Sequence, residues 1–174
     1  MWLYLIFFAI PTVWYYVSSN GSRNKNVLLL FAFMCLLALF VGFSDMFGGY
    51  DRYIYGEIFD NIADITTIKG DYSDSLYYYY YSSEVGYTFL NVLISFFTEN
   101  RYIFILIVTL IIYTCLFISL RKYTENYPLA VVLFMGLWFF FTFTYLRQVL
   151  AGIIVWLSIQ YVVERKFWKF FVVF

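Results

Sequence analysis

The chain has 174 residues, of which 64% are hydrophobic and 26% aromatic. A soluble domain is about 45–50% apolar, so a soluble fold is excluded and an all-α, polytopic integral membrane protein is expected. Eleven basic residues balance eleven acidic ones, leaving no basic excess for nucleic acid, and the absence of histidine excludes histidine-based acid–base or zinc chemistry.

Residues 2–17 form the first apolar stretch. It lacks a basic leader and a small-residue cleavage site, and so reads as a retained helix with a kink expected at Pro11. Residues 18–26 are polar, with a turn signal at Asn20-Gly21 and two bases, Arg23 and Lys25. Residues 27–43 are an uncharged span. Cys35 and Cys115 both sit in apolar runs and read as packing residues, not as a disulfide or a metal site.

Residues 44–85 are the one long polar region and hold eight acids against two bases, Arg52 and Lys69. Cytoplasmic loops are rich in Lys and Arg, so this loop is expected outside. Tyr53, Ile54, Ile58 and Ile62 recur at near-helical spacing, which predicts an amphipathic helix lying on the membrane. Tyrosines fill positions 77–81. They read first as an interfacial aromatic belt and second as a stacking platform for sugar rings.

Residues 85–98 are apolar but too few for a span of about 20 residues, and suit a re-entrant or short interfacial helix. Residues 102–120 span and end in Arg121-Lys122. Asn126-Tyr127-Pro128 is a helix start, with proline in the first turn. Residues 129–145 and 146–163 are expected to span, and Glu164, Arg165, Lys166 and Lys169 follow. The total is about five transmembrane helices plus the short helix and the helical outer loop. If 85–98 does not cross, the bases Arg23, Lys25, Arg121, Lys122, Arg165, Lys166 and Lys169 all lie inside. Residues 1–174 then form a single membrane domain. The last eight residues begin a new apolar run, so the chain reads as the N-terminal part of a longer one.

Three polar clusters would meet at the outer face. The first runs from Gly48 and Gly49 through Asp51 and Arg52 to Tyr55. Paired glycines allow close backbone approach. The second is Glu84-Val85-Gly86-Tyr87, whose carboxylate either acts on a substrate or complements a helix dipole. The third is Arg147-Gln148, set in an apolar run and followed by Ala151 and Gly152. An arginine there either snorkels to the headgroups or serves a ligand, and its fork suits a phosphate or pyrophosphate. Together the clusters fit an anionic, lipid-linked substrate. No acids cluster at metal-ligand spacing, so neither a metal nor another cofactor is expected.

The order Gly49, Asp51, Tyr55, then Glu84, Gly86, Tyr87, then Arg147, Gln148, Ala151, then Glu164, Arg165, Lys166 resembles the EpsG family. These are Wzy-like exopolysaccharide and O-antigen polymerases of bacterial inner membranes. The resemblance covers nearly the whole chain and implies the N-terminal half of such a protein. It implies a metal-independent glycosyltransferase that joins undecaprenyl-pyrophosphate-linked oligosaccharides at the outer face, with other polysaccharide-assembly membrane proteins as possible partners. Arg147 would stabilise the pyrophosphate leaving group, and Glu84 or Asp51 would take the acceptor proton. Gln148, Tyr55, Tyr87 and Arg52 would bind substrate. The alternative is a transporter or flippase-like subunit with Arg147 in a polar pathway, although no internal repeat of the kind transporters carry is evident.

Overall fold

The computed structural model describes residues 2–17, 23–44, 49–68 and 85–173. Among them lie nine helices: α1 (Trp2–Val17), α2 (Arg23–Phe43), α3 (Tyr50–Ile68), α4 (Val85–Ser95), α5 (Arg101–Tyr123), α6 (Tyr127–Leu137), α7 (Phe139–Thr144), α8 (Leu146–Val163) and α9 (Phe167–Val173). Three stretches are long and apolar enough to cross a membrane, Lys25–Phe43, Arg101–Tyr123 and Leu146–Val163. The helices α1, α4 and α6 are apolar but shorter, so the expected five spans resolve into three long helices and shorter ones. Exposed leucines, isoleucines and aromatics cover the outside of this helical membrane protein, as a bilayer-facing surface requires.

The central pair is α2 and α5. Gly42 faces Leu106 and Thr109, the Thr109 hydroxyl reaches the Ala38 carbonyl at 3.4 Å, and Phe31 meets Phe117 edge-on at 5.5 Å, so the two helices run antiparallel. A Cβ on Gly42 would stand 2.5 Å from Leu106 Cδ1 and 3.2 Å from Leu106 Cα. A small residue is therefore what lets the backbones close, as in other membrane helix pairs. Helix α6 joins this pair through Val131 and Met135, and α8 through Leu146, Val149 and Ile153, all buried. The thiols of Cys35 and Cys115 are free and half-buried.

Helix starts follow the local chemistry. The Asn100 side chain accepts from the Tyr102 amide at 2.8 Å and opens α5. Asn126 accepts from the Leu129 amide at 3.3 Å and opens α6, with Pro128 in the first turn where a missing N–H costs nothing.

The expected single span over 129–145 is broken. It stops at Leu137, turns at Trp138, resumes as α7 and stops again at Tyr145. Thr142 donates back to the Phe139 carbonyl at 2.6 Å and also meets the Tyr113 hydroxyl at 3.0 Å. Such back-bonding draws a carbonyl away from the regular ladder. The break seats Phe139 and Phe143 in the core and lets α7 pack on α3.

The helix of the long polar region is α3, and its buried face differs from the expected one. Arg52, Tyr55, Gly56, Phe59, Ile62 and Ala63 are buried, whereas Tyr53 and Ile58 are exposed. The inward stripe has helical spacing, but it includes an arginine and a glycine, which apolar periodicity does not score. It packs on α4, α5 and α7. The tyrosine run at 77–81 lies outside the described residues.

Candidate functional site

Arg147 and Gln148 stand in the first turn of α8, directly after the break at Tyr145. A cation at a helix N-terminus meets the positive end of the macrodipole, an unfavourable placement of about 0.3–1 kcal/mol. The position is poor for a structural arginine and good for one that shares an anion with the helix amides.

Beneath the arginine lies an aromatic floor. The Arg147 guanidinium carbon is 5.9 Å from the Tyr55 ring centroid. Tyr55 is 5% exposed and meets Tyr87 at 5.8 Å. Tyr87 meets Phe104 edge-on at 6.3 Å, and Phe104 stacks on Phe59 at 4.3 Å. These rings tie α3, α4, α5 and α8 together and set the height of the guanidinium over the bundle.

Between α4, α5 and α8 a cavity of about 720 Å³ opens. Arg147, Gln148, Gly86 and Tyr87 line its polar part, and Leu90, Ile111, Leu150, Ile154 and Val155 its apolar part. From Arg147 to Val155 the wall descends about 12 Å along α8 at 1.5 Å per residue. A cation and an amide at one end and a hydrocarbon wall below fit a phosphate carrying an apolar tail. The same pocket does not suit a free sugar, which would leave its hydroxyls against leucine and isoleucine.

The structure thus brings Arg147, Gln148, Tyr55 and Tyr87 together from three helices. Ala151 lines the cavity, while Gly152 faces the other way, and a Cβ there would touch the Trp138 ring at 3.8 Å. Asp51 is half-buried in the first turn of α3, where a carboxylate complements the dipole, and is not among the cavity-lining residues. Glu84 lies outside the described residues; in sequence it directly precedes Val85, which lines the cavity.

Arg52 is 5% exposed, and its guanidinium donates to the Gly42 carbonyl at 3.0 Å and to the Ser44 hydroxyl at 3.3 Å. It closes the C-terminal end of α2, where a cation is favoured. Gly49 has a φ of +72°, which serves the left-handed turn into α3; among the described residues the close approach expected of it is not seen.

Arg101 was not singled out by sequence. Its Nε lies 3.3 Å from an Asp60 carboxylate oxygen and its guanidinium 5.9 Å from the Tyr53 ring, joining α5 to α3. Burial pushes the Asp60 carboxyl up, Arg101 pulls it down, and Asp64 and Glu57 push it up further, for a net rise. The signal available was an arginine placed directly after the helix-capping Asn100.

A family model described as EpsG family matches residues 27–174. No curated protein and no solved structure matches the chain.

Proposed function

The chain belongs to the EpsG family, an exopolysaccharide-related membrane family, and we propose that it acts in a bacterial exopolysaccharide or O-antigen polymerase. The proposed reaction joins undecaprenyl-pyrophosphate-linked repeat units at the outer face of the inner membrane. The observation that carries this reading is the placing of Arg147 at the polar part of an amphiphilic cavity. Such a cavity matches a donor that is a pyrophosphate at one end and a hydrocarbon at the other.

In the proposed step the acceptor hydroxyl oxygen attacks the anomeric carbon of the donor sugar. The bond from that carbon to the pyrophosphate oxygen breaks, and its electron pair leaves with the undecaprenyl pyrophosphate. Arg147 stabilises the charge that develops on the leaving group through paired N–H donors. Tyr55 positions Arg147 from below, and Gln148 and Tyr87 orient the phosphate and the first sugar. Glu84 or Asp51 takes the proton released by the acceptor hydroxyl. In this scheme Arg52 acts through the α2 end on which it rests.

The topology that goes with this reading has the N-terminus outside, about five crossings, and the bases of 23–25, 121–122 and 165–169 inside. Support comes from α4, whose 11 residues extend about 16 Å, half of a hydrocarbon core of about 30 Å. Helix α6 is as short, but α7 continues it beyond Trp138, whereas α4 has no such continuation before α5 begins at Arg101; in this reading α4 does not cross.

Complementation tests the function. A host deleted for the gene receives wild type or Arg147→Ala, and the surface glycan and the lipid-linked pool are compared at matched protein levels. Single repeat units on undecaprenyl pyrophosphate should accumulate in the deletion and in the Arg147→Ala strain. Unchanged polymer length in Arg147→Ala removes the arginine from the chemistry. A lipid-linked pool confined to the inner leaflet favours a transporter instead.

A further inference from the structure

Toward the C-terminal end of α5, a second cavity of about 360 Å³ opens between α5, α6 and α8. Its walls are Leu116, Leu120, Leu133, Trp138, Ile153 and Trp156, and Tyr123 and Thr124 stand where α5 ends. It uses Gly152, Ile153 and Trp156 of α8, whereas the Arg147 cavity uses Leu150, Ala151 and Ile154, so the two lie on different faces of that helix.

A basic cluster stands at the same end. The Lys122 ammonium lies 5.8 Å from the Tyr123 ring centroid, so a cation sits directly on a cavity-lining residue. The turn from α8 to α9 carries Glu164, Arg165 and Lys166, with Lys169 in α9. Lys166 donates to Glu164 at 2.8 Å. The Glu164 carboxyl is held below its usual range chiefly by Lys166, with smaller pulls from Lys122 and Lys169; α8 packs on both α5 and α9, so its C-terminal end joins the two. Five exposed bases, Arg121, Lys122, Arg165, Lys166 and Lys169, face two acids, Glu125 and Glu164.

We infer that this end of the bundle binds an anionic phospholipid, its headgroup phosphate between Lys122 and Lys169 and one acyl chain in the α5–α6–α8 cavity. Basic loop residues by themselves only orient a membrane protein, and an apolar cavity by itself accepts any lipid tail. Their juxtaposition through Tyr123 selects a ligand that is anionic at the head and apolar in the tail. Basic pockets between membrane helices bind acidic lipid headgroups by this complementarity. A free phosphate would leave the cavity unused. The site is independent of the reaction proposed at Arg147.

Fluorescence quenching tests it. Trp2, Trp14 and Trp168 are replaced by Phe, leaving Trp138 and Trp156, which line the cavity. The protein is placed in phosphatidylcholine vesicles containing brominated-chain phosphatidylglycerol or brominated-chain phosphatidylcholine. The anionic lipid should reach half-maximal quenching at a several-fold lower mole fraction. Lys122→Gln with Lys169→Gln should erase that difference and leave quenching by phosphatidylcholine unchanged. Raising the salt should shrink the preference without any further substitution. Equal quenching by the two lipids, or a preference that survives both the double variant and high salt, overturns the inference.

Discussion

The guanidinium of Arg147 rests 5.9 Å above the ring of Tyr55, which α3 contributes. The first turn of α8 and the buried stripe of α3 therefore meet at the cavity. A cation over a tyrosine ring is worth about 0.5–2 kcal/mol depending on desolvation. Tyr55→Phe keeps the ring and should leave polymer length near wild type. Tyr55→Leu removes the platform and should weaken donor use about threefold to thirtyfold, chiefly through KM, on that energy scale. Assay of lipid-linked donor consumption at matched protein levels checks both.

Arg52 should behave as a structural residue. Hydrogen bonds from a charged group contribute about 1.5–3 kcal/mol each, and removing one partner leaves a buried acceptor unsatisfied. Arg52→Ala strips the Gly42 carbonyl and the Ser44 hydroxyl of their cation. Its thermal midpoint in detergent should fall by several degrees. A variant with unchanged melting and lost substrate binding would instead assign Arg52 to the ligand.

The α2–α5 approach at Gly42 should tolerate little. Gly42→Ala already sets a Cβ 2.5 Å from Leu106 Cδ1 and 3.2 Å from Leu106 Cα, and Gly42→Val adds two methyl groups to that seam. Overpacking of this kind costs about 1–3 kcal/mol, so the valine variant should melt lower than the alanine variant. The melting temperatures of the two purified proteins decide it.

Asp60 and Arg101 should not be equivalent. The Asp60 carboxyl is raised mainly by burial despite its arginine partner. An acid raised on folding holds its proton more tightly in the native state. Its contribution to stability is therefore fully present at low pH and is lost as pH rises through the folded pKa. At neutral pH Asp60→Asn should change stability little, while Arg101→Ala removes the cation that offsets Glu57 and Asp64 at Asp60 and should be the more destabilising. Their side chains are about one-third exposed, so the pair itself is worth no more than about 1 kcal/mol. Melting each variant at pH 4.5 and 7.5 checks the order and the slope.

Much of this was legible in the residues. The length of the apolar runs placed α2, α5 and α8 within a few residues, and Asn126 with Pro128 marked the start of α6. The clusters around Tyr55, Tyr87 and Arg147 could be grouped because their order and spacing resemble a family. The break at Trp138 was not legible, because it carries no proline, and the Tyr113 hydroxyl that meets Thr142 in the helix beyond it comes from another helix. The inward face of α3 was misread because a buried arginine is part of it. Whether an arginine caps a helix or faces a ligand depends on what the fold brings to its guanidinium. Arg52 met the end of α2, and Arg147 met a tyrosine and a cavity.

The most direct measurement is binding of polyprenyl pyrophosphate to the purified protein in nanodiscs, with polyprenol of the same chain length as the comparison. Arg147→Ala should weaken the pyrophosphate at least tenfold. Arg147→Lys should recover little of that, since a point charge does not reproduce the paired donors of the guanidinium. Neither variant should alter polyprenol binding. Equal affinity of wild type and Arg147→Ala for the pyrophosphate would contradict the assignment of Arg147 to the lipid-linked anion.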